Sequence, residues 1–155
     1  MNAYRLKPTA FPWPPVLYSI AFAGAGLLGR VIQLQMPART FLVLTGLSLL
    51  GCAFTLALWA LKAKFDARAL PRPHRSRVLM VTSGPYRLSR NPIYLAYTIG
   101  TMAVGLLSGN PWFVLAGPTA AIVTTQIAIR REEMLLLARY GMDYERYCRQ
   151  VRRWL

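Results

Sequence analysis

Between Arg90 and Arg130 the chain carries no charged side chain at all. Such a run is hard to bury in a soluble domain of 155 residues, because an apolar helix of ~20 residues already crosses the hydrocarbon core of a bilayer. Two such helices fit into it. Ser108-Gly109-Asn110-Pro111 falls inside the run, and Gly and Pro are strong signals of chain reversal. The run is therefore expected to fold back on itself as two antiparallel spans.

Two further apolar stretches precede it. With 55% hydrophobic and only 15% charged residues, the expected fold is all-α: a polytopic membrane bundle of four transmembrane helices at about 13–30, 40–61, 92–107 and 112–129. Residues 130–155 then form a tail, and 1–155 is read as a single integral membrane domain. Tyr4, Phe11 and Trp13 are placed as headgroup-level aromatics ahead of the first span. The first span is rich in small residues (Ala21, Ala23, Gly24, Ala25, Gly26) and the second carries Gly46, Ser48, Gly51 and Cys52. Small residues permit close helix contact where lipid supplies no hydrophobic drive. With no ionisable group at depth, both are expected to be scaffold. The third span is short, since ~16 residues rise only ~24 Å; its end is expected to lie recessed in a cavity or in locally thinned bilayer. Gly117-Pro118 is expected to kink the fourth.

The charge is unbalanced, with 19 Lys and Arg against 5 Asp and Glu, a net +14. The cations fall in two blocks, Lys62 to Arg90 and Arg130 to Arg153, and the bend at Ser108–Pro111 has none. The positive-inside rule places both blocks, with Arg5 and Lys7, on the cytoplasmic side. Both termini are then cytoplasmic, in a bacterial inner membrane or an intracellular membrane such as the ER. Membrane lipids account for the basic surface, and no nucleic-acid motif accompanies it. Cys52 and Cys148 belong to no metal spacing, and His74 is the lone histidine, so no metal is expected. The oligomeric state is not legible.

The loop from Lys62 to Ser83 begins as an extension of the second helix, stops at Pro71-Arg72-Pro73 and carries the apolar, β-leaning run Val78–Val81. Gly84-Pro85 is then a turn signal. Asn91-Pro92 reads as a helix start, with Asn as N-cap and Pro at the first helical position. Arg87 and Arg90 would flank the positive end of that helix. In the tail, Leu136, Tyr140, Tyr144, Tyr147 and Val151 recur at helical spacing, broken near Gly141. This amphipathic segment can lie on the membrane and also close over a site. Glu132 and Glu133 point ~100° apart on a helix, which does not suit a carboxylate dyad. One is expected to face a ligand, the other an arginine such as Arg90.

Gly84-Pro85-Tyr86-Arg87, Arg90-Asn91-Pro92-Ile93-Tyr94, Glu132-Glu133, Tyr140-Gly141 and Tyr144-Glu145-Arg146-Tyr147, in that order around a hairpin of spans, resemble the isoprenylcysteine carboxyl methyltransferase family and the related phospholipid methyltransferases. The resemblance covers about Val78 to the end. It implies an integral membrane enzyme that holds S-adenosylmethionine in a cytoplasmic pocket formed by the loop and the C-terminal amphipathic helix. A lipophilic or prenylated acceptor would enter from the bilayer. By position, the implied cofactor contacts are Met80 and Val81 in the Val78–Val81 run, Tyr86, Asn91, Pro92, Tyr94, Glu132 and Glu133. Arg90 and Arg130 are the candidates for orienting the acceptor. The family commonly has His before that proline, where phospholipid methyltransferases can carry Asn. Carboxyl methyltransferases place an arginine one turn before the glutamate pair, where this chain has Ala128. An isoprenylcysteine-type carboxylate and a lipid amine both stay open. Two other classes compete: an NADPH-dependent reductase, since Tyr140-Gly141…Tyr147-Cys148 is similar to the tail of sterol reductases, and a non-catalytic membrane subunit.

Overall fold

The computed structural model describes residues 13–34, 36–37, 39–69 and 80–155. Tyr4, Arg5, Lys7, Phe11, Pro71-Arg72-Pro73, His74, Val78 and Leu79 lie outside the described residues. Every regular element among the described residues is helical. They are α1 (Trp13–Val31), α2 (Arg39–Ala69), a 3₁₀ turn (Gly84–Arg87), α3 (Pro92–Ser108), α4 (Pro111–Thr124), a π turn (Thr125–Ile129), α5 (Arg130–Tyr140) and α6 (Met142–Gln150). The β-leaning expectation at Met80-Val81 is not met, since both lie in irregular chain.

The uncharged run folds as expected into a hairpin. Gly109 takes φ 70°, a left-handed cap, and its N–H reaches back to the Gly105 and Leu106 carbonyls. Asn110 caps the next helix, accepting from the Trp112 N–H at 3.0 Å. Small residues then let α3 approach both neighbours. A methyl added at Gly117 would stand 2.9 Å from the Thr98 carbonyl on α3, and one at Gly46 would stand 2.9 Å from Leu107. α3 therefore packs between α2 and α4, and α1 lies along α4.

Two helices, Arg39–Ala69 and the continuous Pro111–Tyr140, are long and apolar enough to cross a membrane; Pro92–Ser108 is a shorter apolar helix. α2 wears much of its apolar surface outward, with Phe41 and Phe54 each about two thirds exposed. Exposed apolar patches of this extent mark a surface that meets something other than water. The fourth helix continues without a break into α5, with Pro118 inside it and a π turn at Thr125–Ile129.

Candidate functional site

At the N-terminal end of α3 five segments converge. Their geometry follows from a few local choices. The 3₁₀ turn begins at Gly84 with φ +60°, a conformation in which other residues are strained. This lays Pro85 and Tyr86 inward, both buried. Their floor is the far end of α2, where Ala60 and Ala63 pack against Val81 and Tyr86, with Ile93 alongside. Alanines there leave room for the loop. α2 is thus more than scaffold, because the same turn also delivers Lys64 to the site.

The opposite wall comes from the tail. A π turn adds a residue to one turn of helix and resets the face that follows it, and such turns are frequent at functional sites. Here it precedes α5 directly, with Ile129 almost fully buried at its end. Gly141, at φ 50°, then breaks the helix. α6 folds back so that Tyr144, Tyr147 and Val151 cluster with Met80, Leu136 and Tyr140. The Tyr147 hydroxyl donates to the Tyr86 carbonyl at 2.6 Å, and the Met80 N–H donates to the Tyr140 hydroxyl at 3.3 Å. The aromatic stripe of the tail closes over the loop.

Residues 152–153 latch the arrangement. Arg90 N–H donates to the Arg152 carbonyl at 3.0 Å, while Asn91 Nδ2 and Ser89 Oγ reach the Arg153 carbonyl at 3.1 and 3.3 Å. Asn91 occupies the N-cap position but makes no side-chain cap. Its amide is spent on the latch, and its own N–H is met by Ser89 Oγ at 3.1 Å. The sequence expectation of an Asn cap is corrected on that point.

Between these walls lies a hollow that opens to the surface. Glu132 faces it and accepts from the Tyr94 hydroxyl at 3.3 Å, linking α5 to α3. Glu133 also borders it, but its oxygens are engaged: Oε1 by Arg153 Nε (2.9 Å) and Arg90 Nη1 (3.2 Å), Oε2 by Arg153 Nη2 (2.7 Å). The two carboxylates divide as their helical angle requires.

The electrostatics are those of a phenol-rich pocket. Burial raises the Tyr86 phenol well above its ordinary range, and the Glu132 charge adds to this. Burial likewise raises Tyr144. Tyr147 is pushed up to about 12, again by burial, with Arg90 pulling the other way. The hydrogen bonds from Glu133 hold Arg153 even more firmly protonated than usual. Arg90 Nε is buried with no partner among the described residues.

Of the residues singled out in the sequence, Met80, Val81, Tyr86, Arg90, Asn91, Tyr94, Glu132 and Glu133 share this hollow. Pro92 is buried at the helix start without bordering it, and Arg130 borders a neighbouring groove instead. Sequence reasoning passed over Lys64, Ile93 and Ile129 as lining residues, while Leu136 belongs to the stripe expected to close over a site.

The model of the phospholipid methyltransferase family matches residues 41–143, well over half of the chain. An uncharacterized protein of Haemophilus influenzae is 36% identical over 63 residues, which cover 41% of this chain and the whole of that protein. No solved structure matches the chain.

Proposed function

The chain belongs to the phospholipid methyltransferase family, and we propose that it transfers a methyl group from S-adenosylmethionine to a lipophilic acceptor reaching the hollow from the bilayer. In this reading the protein is an integral membrane enzyme with four spans, both termini cytoplasmic and the hollow at the cytoplasmic end. The supporting observation is the juxtaposition of Tyr94 and Glu132, 3.3 Å apart on two different helices and facing one roofed hollow.

The residues present fit the cofactor. Glu132 supplies a carboxylate for its amino group or ribose, and Lys64 and Arg90 supply cations for its carboxylate. Val81, Ile93, Ile129 and Leu136 supply apolar wall for the adenine, with Tyr86, Tyr144 and Tyr147 as aromatic neighbours. The buried, unpartnered Nε of Arg90 is a donor still lacking an acceptor. When bound, the cofactor carries a methyl group already activated by its sulfonium charge, so no protein nucleophile is needed.

The remaining work is positional. Tyr144 and Tyr147 roof the hollow and exclude water, and a desolvated, aligned acceptor reacts faster by proximity alone. Arg90, braced by Glu133, lines the hollow, where it can orient the polar end of an acceptor. A lipid amine is the better match. Ala128 leaves the turn before Glu132 without the cation that a carboxylate acceptor would use.

The test is incubation of the purified chain with radiolabelled methyl donor and either an ethanolamine phospholipid or a prenylcysteine. Label in the amine lipid alone is expected. Label in the prenylcysteine would overturn the choice of acceptor, and label in neither would overturn methyl transfer to these lipids.

A further inference from the structure

Behind the Glu133–Arg153 wall lies a second, wider groove, which shares Arg90 and Glu133 with the hollow. Its rim is formed by Arg90, Arg130, Arg149 and Arg153, with Met134 and Leu137 as its apolar part. We propose that this groove binds the phosphate of an anionic phospholipid.

Charge is the first argument. Four guanidinium groups border the groove against two carboxylates, Glu133 and Glu145. Glu133 is committed to Arg90 and Arg153. Among the described residues Arg130 and Arg149 form no ion pair. The groove thus keeps a net positive charge after its internal pairs are formed. A guanidinium presents its donors as a planar fork that matches two phosphate oxygens at once.

The apolar part separates a lipid from a soluble anion. Met134 and Leu137 are each more than two fifths exposed, an unfavourable arrangement beside cations if only water and ions enter. A phospholipid presents both partners together, a phosphate and the hydrocarbon next to it. Location agrees with this. Arg130 is the first charged residue after the uncharged run, and it lies within the continuous apolar helix Pro111–Tyr140. A span emerging there sets its first cation at the level of the headgroups, where a basic residue attracts anionic lipid by ~1 kcal/mol. The inference rests on membrane placement, not on the identity of the methyl acceptor.

The test uses the full chain in a neutral detergent, titrated with short-chain phosphatidylglycerol, phosphatidylcholine of the same chain length, and inorganic phosphate. Thermal unfolding is the readout. Phosphatidylglycerol is expected to raise the unfolding temperature saturably, and the other two to leave it unchanged at equal concentration. Arg149→Gln and Arg130→Gln are each expected to weaken the phosphatidylglycerol response about fivefold, the equivalent of one headgroup-level cation. Arg139→Gln removes the same charge from α5 outside the groove and is expected to preserve it. An equal response to phosphatidylcholine, or to inorganic phosphate, would overturn the anionic-lipid assignment. Equal weakening by Arg139→Gln would reduce the groove to diffuse surface charge and overturn it as a site.

Discussion

Arg153 grips Glu133 with both prongs of its guanidinium, Nε at 2.9 Å from Oε1 and Nη2 at 2.7 Å from Oε2. This contact ties the last residues of the chain to α5, and Arg90 joins it from the start of α3. Three segments distant in sequence meet on one carboxylate. The Arg153 side chain is 36% exposed and that of Glu133 16%, so water screens the Coulomb attraction and geometry contributes much of its value.

Glu133→Gln should therefore lower stability by about 1 kcal/mol, the range of a screened but well-formed ion pair. It should also loosen the tail over the hollow. Thermal unfolding in detergent checks the first effect, and limited proteolysis within α6 checks the second. An unchanged unfolding temperature with an unchanged cleavage pattern would contradict the latch.

The phenols predict an alkaline limit. Tyr147 titrates at about 12 in the folded chain against an ordinary 10.0, and Tyr86 and Tyr144 are raised as well. The folded state thus holds these protons more tightly than the unfolded state does. Their contribution is complete below pH 10 and is lost as pH climbs from there through the folded values. Denaturant stability should fall steeply above about pH 10. Tyr147→Phe should flatten part of that slope while losing the hydrogen bond to the Tyr86 carbonyl. Phenolate absorbance gives the titration directly. Normal titration of all the tyrosines in the folded chain would contradict the burial.

Gly84→Ala probes the loop. The position has φ +60°, and the added methyl would stand 3.2 Å from Trp59 Nε1 and 3.3 Å from the Ala63 methyl. The left-handed backbone alone costs about 1–2 kcal/mol. The variant should be destabilised by at least that much and should bind S-adenosylmethionine more weakly, because Tyr86 shifts with the turn. Wild-type stability would show the turn to be less constrained than its dihedral implies.

Much of this was legible beforehand for physical reasons. Apolar stretches and their flanking charges report helices directly, so Trp13–Val31, Arg39–Ala69 and Pro92–Ser108 fall within a few residues of expectation, apart from the anticipated cytoplasmic extension of the second. The ~100° between adjacent helical residues already separates Glu132 from Glu133. What stayed hidden depended on tertiary contact. Asn91 has the composition of a cap, yet the Arg153 carbonyl, 62 residues away, takes its amide. Nothing local marks Thr125–Ile129 as a π turn. Arg130 is a candidate for orienting the acceptor by its closeness to the glutamate pair, but it borders the second groove instead of the hollow. Lys64 looked like ordinary charge at a helix end until the loop folded against Ala60 and Ala63.

The most direct measurement is isothermal titration of the purified chain in detergent with S-adenosylmethionine and its demethylated product, repeated on Glu132→Gln and Tyr94→Phe. One site per chain is expected for the wild type. Glu132→Gln should weaken it by about tenfold or more, the value of a hydrogen bond to a charged group, and Tyr94→Phe should weaken it less. A folded wild-type chain that binds neither compound, or a Glu132→Gln chain that binds as tightly as wild type, would contradict the account.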